Sequence, residues 1–286
     1  MNEVYKKFNL TVLDEVIETE KVHIVNTTDG LFVVKLMTDI ELKNYKLLSK
    51  TKYDYLKPLS SVLHNNLTYY LFNYQKTTDK EVDRAKKLVK EVSILHSKTK
   101  EQRQASKMDS FKFKKMIVIM NDKFNSIELK IREIEMLQIK DDNAWIVLSK
   151  YHLILDAKLT IYKLIKKVSR DIEKEELEYC YLHSYPTFEH FKGNKLISYT
   201  YLKKGYYVND LYKIYIELEY LDFDIKGLIE PYLKTPFSKR YFKLMVLYTY
   251  TLMLDQMNLI NYEYIIEYIF YTNRFAKVIA LFKDYN

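Results

Sequence analysis

Four glycines and four prolines serve a chain of 286 residues. These are the residues that most readily end a helix or open a turn, so a chain this poor in them is built mainly of long helices. The apolar periodicity agrees. Val82, Ala85, Leu88, Val89, Val92 and Leu95 recur at spacings of three and four, which predicts a helix over 79–99. The same pattern covers 114–140 and 143–170, parted by Lys140-Asp141-Asp142-Asn143, and returns over 210–220, 239–256 and 260–283. Lys100–Phe113 reads as a polar loop.

The few turn signals that remain are correspondingly informative. Asp29-Gly30 closes Asn26–Gly30, a hairpin turn between a strand over Val16–Val25 and a return strand over Leu31–Met37. His64-Asn65-Asn66 joins Pro58–Leu63 to Leu67–Asn73. Lys192-Gly193-Asn194-Lys195 joins Phe191 to Leu196-Ile197, behind a short apolar strand at Tyr179–Leu182. Asp210-Leu211 opens a helix with the acid near its positive end. Thr38, with Glu41 three residues on, caps a helix over 38–50. The expectation is an α+β chain: antiparallel strands in a small N-terminal part, 1–75, and a mostly helical remainder, 76–286, with Gln75–Asp79 as the hinge.

Lysine and arginine total 46 against 38 acids, a net charge of +8. The basic residues are dispersed and most sit beside an acid. That describes a solvated helical surface and argues against a nucleic-acid partner, since such partners select clustered charge. One cysteine, Cys180, excludes an internal disulfide and fits a reducing compartment. The six histidines have no metal-ligand spacing. Asp222, Asp224 and Gly227 hint at a calcium loop but lack its remaining oxygen ligands. No stretch reaches ~18 apolar residues without charge, so no transmembrane helix is expected. The N-terminus lacks the apolar core of a signal peptide, so the expected location is cytoplasmic. The 28 tyrosines are expected to bury rings in helix contacts, with hydroxyls kept wet at positions such as Tyr241, Tyr248, Tyr250, Tyr262 and Tyr268.

The stretch 178–215, EYCYLHSYPTFEHFKGNKLISYTYLKKGYYVNDLYKIY, runs strand, tight loop, hairpin, helix. That order resembles the catalytic centre of the kinase-like phosphotransferases, the aminoglycoside and choline kinase types, and the spore-coat kinase-like proteins of Firmicutes. In those families H-x-D-x-x-x-x-N carries the catalytic Asp and a metal-binding Asn. The following hairpin ends in a Mg²⁺-binding Asp, and a later D-L begins a helix. His183, Leu196-Ile197 and Asp210-Leu211 match this frame, but Tyr185 stands at the catalytic Asp, His190 at the Asn and Ser198 at the Mg²⁺ Asp. The resemblance further implies a two-lobed protein-kinase-like fold, with Lys35 in V-V-K on the phosphate-binding strand and Glu41 as its partner. No glycine-rich loop precedes Lys35; the Ile17–Lys21 bend is acidic and bulky.

Phosphoryl transfer rests on positioning and on neutralising charge. A phenol titrates near ~10 and cannot serve as the base near neutral pH. Histidine and serine are poor Mg²⁺ ligands. The implied reading is a catalytically impaired kinase-like protein, a pseudokinase. It would act as a binding or scaffold module for a protein partner or a small anionic ligand. It would lack enzymatic turnover, and any ATP binding would not depend strongly on Mg²⁺. One alternative is an active phosphotransferase for amino-alcohol, sugar or aminoglycoside acceptors, with Glu189 and Asp210 as displaced metal ligands. Another is a weak binder of nucleic acid or anionic surfaces. The spore-coat relatives add a coat location to the cytoplasmic one.

Overall fold

Asparagine supplies most of the turns that glycine does not. In the computed structural model, which describes residues 1–77, 80–259 and 264–285, Asn9, Asn65, Asn66 and Asn194 all adopt positive φ. A short polar side chain tolerates that region better than any other non-glycine residue.

The chain divides into two units: Met1–Lys100 with Cys180–Asp210, and Glu101–Tyr179 with the chain from Leu211 onward. The first unit opens with α1 (Asn2–Lys7) and an antiparallel sheet. Its strands are β1 (Val12–Thr19), β2 (Val22–Thr27), β3 (Gly30–Leu36), β4 (Ser60–His64) and β5 (Leu67–Asn73), in the order β1-β2-β3-β5-β4. The Asp29-Gly30 hairpin is present, with Thr27 opposite Gly30 and Val22 opposite Lys35. The expected single strand over Val16–Val25 is two strands, because the chain reverses at Glu20-Lys21. Thr19 Oγ1 accepts the Lys21 N–H at 3.3 Å, a side-chain turn that needs no glycine, so that the bend read over Ile17–Lys21 is a full reversal. Strand alternation sends Val34 into a core with Val4, Tyr5, Val25 and Leu71, and turns Val33 and Lys35 to the opposite face. Two helices follow, α2 (Asp39–Leu48) after β3 and α3 (Glu81–Thr99) after β5. Asp79, expected to end the hinge and start this helix, lies outside the described residues.

The chain returns to this unit along β7 (Glu176–Leu182), the hairpin β8–β9 (Phe191–Lys192 and Lys195–Leu196), and β10 (Lys203–Tyr206) beside β7. It leaves through the start of α7 (Val208–Leu218).

In the second unit β6 (Glu101–Gln104) pairs with the first half of β7. The expected loop over Lys100–Phe113 is thus a strand and then helix, since α4 runs Lys107–Glu135. Its start is a capping box: Ser106 Oγ accepts the Asp109 N–H and the Asp109 carboxylate accepts the Ser106 N–H. The expected helix over 143–170 is α5 (Asp142–Ser149) and α6 (Tyr151–Asp171). At the break the Val147 carbonyl takes the Tyr268 hydroxyl at 2.8 Å and the Lys150 N–H at 3.3 Å. The i+3 bond tightens the turn and the tyrosine competes for the carbonyl. After α8 (Ile225–Ile229), whose N-cap is Asp224 rather than a calcium ligand, come α9 (Pro236–Asp255) and α10 (Ile265–Leu281). Residues 260–263, with Tyr262 among them, lie outside the described residues. Helices α4, α6, α9 and α10 pack on one another, and Tyr250 and Tyr268 are wholly buried. The expectation of wet hydroxyls therefore fails at Tyr268, whose partner is a backbone carbonyl inside the core. Among the described residues no helix is long and apolar enough to cross a membrane.

Candidate functional site

Thr38 positions the first pair of site residues. Its hydroxyl accepts the Glu41 N–H at 3.3 Å and starts α2 there. Glu41 thereby stands one turn into the helix, beside the strand that carries Lys35. Lys35 Nζ donates to Glu41 Oε1 at 2.6 Å and to Ser198 Oγ at 3.1 Å, joining residues 163 apart in sequence. The Lys35 and Glu41 side chains are 16% and 3% exposed, so this charge pair is shielded from water and correspondingly strong.

Ser198 leaves the β8–β9 hairpin in the left-handed region, φ 61 and ψ 68. Its neighbour Ile197 holds that turn to the histidine loop: the Ile197 carbonyl accepts from His183 Nε2 at 2.8 Å, and its N–H donates to the His190 carbonyl at 2.9 Å. His183 is wholly buried, and burial lowers its pKa, favouring the neutral ring. Below it Asp210 acts as a hub. Oδ2 accepts His96 Nε2 at 3.0 Å and the His183 N–H at 2.8 Å, and Oδ1 accepts the Ser184 N–H at 3.0 Å. Burial works to raise the Asp210 pKa, but the His96 bond and charge and the His183 N–H outweigh it, and the net shift is downward. Asp210 is fully enclosed and both its oxygens hold donors, so it braces the loop and is not presented as the fallback metal ligand expected of it.

The loop itself is pinned from α3. The Arg84 guanidinium donates to the Phe188 carbonyl and, at 2.8 Å, to the Phe191 carbonyl, while lying 4.6 Å from the Phe188 ring centroid. His190 Nδ1 lies 2.9 Å from the Tyr185 carbonyl. Tyr185 is 48% exposed and its ring meets Tyr201 at 4.7 Å between centroids. The Tyr185 side chain therefore faces water.

Lys35, Ser198, Glu189 and His190 line one cavity of about 660 Å³, walled by Val33, Tyr45 and Phe72. That size falls in the roughly 300–1,000 Å³ range of small-molecule sites. Glu18 and Thr19, at the end of β1, also line it, and Lys76 and Lys192 add positive charge. A nucleotide fits this lining: an apolar wall for a base and a shielded lysine for a phosphate. Beside His190 and Ser198 the lining holds the carboxylates of Glu189 and Glu18, and among the described residues no three His, Cys, Asp or Glu side chains are grouped to hold a metal ion.

Of the residues singled out in the sequence, the structure brings Lys35, Ser198, Glu189 and His190 to the cavity, buries Glu41 behind Lys35 as its partner, buries His183 and Asp210 beneath the loop, and turns Tyr185 outward. Arg84 went unnoticed. A lone arginine in an amphipathic helix carries no signal until the two carbonyls it holds, 104 and 107 residues away, are in place. The buried Glu91 was missed for the same reason. It accepts from Tyr53 at 2.8 Å, and burial, opposed by Tyr53 and Lys195, raises its pKa.

No protein-family model matches the sequence, and neither does any curated protein. Solved structures do match. An aminoglycoside phosphotransferase from Alicyclobacillus acidocaldarius is 11% identical, with a TM-score of 0.70 over 99% of this chain and 95% of that one. Choline kinase LicA from Streptococcus pneumoniae is 15% identical, with a TM-score of 0.48 over 98% of each chain. At such identity the likeness speaks for the backbone alone, and on that evidence the chain has the α+β fold of the kinase-like phosphotransferases.

Proposed function

We propose that the protein binds a nucleoside phosphate in the 660 Å³ cavity, with Lys35 as the phosphate contact. The observation that carries this reading is the Lys35–Glu41 pair with Ser198 at 3.1 Å, a lysine held in place at the wall of a cavity with an apolar side. A lysine pairs with phosphate as a point charge and needs no metal to do so. Nucleotide binding here is therefore expected without Mg²⁺, and a binding or scaffold role follows from it.

A second reading is transfer of the phosphoryl group to a small-molecule acceptor. It is favoured by Glu189 and His190, which line the same cavity as Lys35. The aminoglycoside phosphotransferase that shares the backbone is named for such a transfer.

Isothermal calorimetry with ATP and GTP, each with MgCl₂ and with EDTA, tests the main reading. The expected result is binding in both buffers that Lys35→Ala weakens about tenfold or more, the worth of one charge-assisted hydrogen bond. Equal affinity of Lys35→Ala and the parent would refute it. ATP consumption across amino-alcohol, sugar and aminoglycoside acceptors then decides between binding alone and transfer.

A further inference from the structure

A carbonyl oxygen can only accept a hydrogen bond. His190 Nδ1, 2.9 Å from the Tyr185 carbonyl, therefore carries the ring proton, and in the neutral ring Nε2 carries the lone pair. The ring lines the cavity together with Lys35 and Ser198. Its backbone is fixed on every side. The His190 N–H donates to the Thr187 carbonyl at 3.2 Å and the His190 carbonyl accepts from Ile197 at 2.9 Å. Arg84 holds the carbonyls of Phe188 and Phe191. The side chain is thus an oriented imidazole at the cavity wall, whose neutral form carries its lone pair on Nε2.

We propose that His190 is a nucleophile that accepts a phosphoryl group on Nε2 from a nucleoside triphosphate held at Lys35. The proposal rests on the nucleotide reading above. Its chemical ground is what Tyr185 cannot do. A hydroxyl acceptor needs a base to take its proton, and the residue at the base position is a solvent-facing phenol. An imidazole nitrogen attacks with a lone pair and has no proton to lose. In the step, the Nε2 lone pair forms the N–P bond to the terminal phosphorus. The bond from that phosphorus to the bridging oxygen breaks, and its electron pair leaves with the nucleoside diphosphate. The ring becomes cationic, and the Nδ1–H donated to the Tyr185 carbonyl holds that charge. The phosphoryl group is then passed to water or to another acceptor.

The test uses the full chain, ATP and GTP labelled at the terminal phosphate, and an alkaline quench that preserves N–P bonds. The expected result is one acid-labile, alkali-stable phosphoryl group per chain, located at His190 by fragment mass spectrometry. His190→Asn retains an N–H donor for the Tyr185 carbonyl but has no nucleophilic nitrogen, so labelling should fall to background while calorimetry still detects nucleotide binding. Arg84→Lys loosens the loop and should slow labelling. Nucleotide binding without any label, label on another residue, or labelling that survives in His190→Asn each overturns the proposal. ATP consumption that depends on His190 without a labelled intermediate also overturns it, since that would make the ring a proton acceptor only. Failure of ATP and GTP to bind at all would instead remove the nucleotide reading and the proposal with it.

Discussion

Replacing Asp210 tests whether the loop owes its shape to one buried carboxylate. The side chain is fully enclosed and accepts from His96 at 3.0 Å, from the His183 N–H at 2.8 Å and from the Ser184 N–H at 3.0 Å. Asp210→Ala leaves two backbone donors that cannot turn away, each costing about 1–3 kcal/mol when buried without a partner. His96 adds to this, though its ring can reorganise. Relief from desolvating the carboxylate offsets part, which leaves a loss of about 3–5 kcal/mol, the usual cost of breaking a buried charged pair. Asp210→Asn keeps one oxygen, enough for His96 and His183, and orphans Ser184 alone, so it should lose about half as much. Urea unfolding gives both numbers, provided the slope is unchanged. Hydrogen exchange should quicken first at Ser184, whose positive φ of 73° depends on that bond. The acid limb gives a second readout. The folded pKa is depressed, so this contribution is complete above the unfolded value near ~4 and disappears as pH falls below it toward the folded value. Asp210→Asn should lose that part of the acid sensitivity. A cost below about 1 kcal/mol for Asp210→Ala, with an unaltered slope, would refute the hub.

Two further perturbations probe other parts of the chain. Gly193 has φ +52°, and an added Cβ would meet Gln75 Oε1 at 2.4 Å and Gln75 Cβ at 2.8 Å. Gly193→Ala should therefore destabilise by about 1–2 kcal/mol, and an unchanged urea midpoint would contradict the tight approach. In the second unit Lys243 is buried with Nζ 2.9 Å from the Phe282 carbonyl, and burial pulls its pKa down to about 8, with Asp284 opposing. The unfolded chain binds more protons between pH 8 and the ordinary lysine value, so stability should rise with pH across that window. Urea titrations of Lys243→Met should show a flatter rise, and an identical slope would rule out this linkage.

The hairpins at Asp29-Gly30, Asn65-Asn66 and Gly193-Asn194 were legible because their turn residues act locally. So were the Thr38 cap and the helical runs of α3 and α4, where periodic apolar residues need only one buried face. The bend over Ile17–Lys21 was legible, but that it reverses the strand was not, nor was the Ser106–Asp109 cap, because threonine, serine and aspartate recur throughout the chain and only their geometry shows which of them caps or turns. The break at Lys150 was equally hidden, since its competing donor, Tyr268, lies 121 residues from Val147.

For the site, the sequence by itself determined which groups are available. A tyrosine, a histidine and a serine stand in the loop and hairpin at 185, 190 and 198, and one lysine and one glutamate, Lys35 and Glu41, stand close enough in sequence to pair. Their protonation and direction were decided by the tertiary structure. The Tyr185 carbonyl assigns the His190 proton to Nδ1, Arg84 fixes the loop that carries the ring, and Asp210 takes both its oxygens out of reach of any ligand. The physical reason is that composition and spacing set the local backbone, whereas a hydrogen bond's partner and a group's burial depend on residues a hundred positions away.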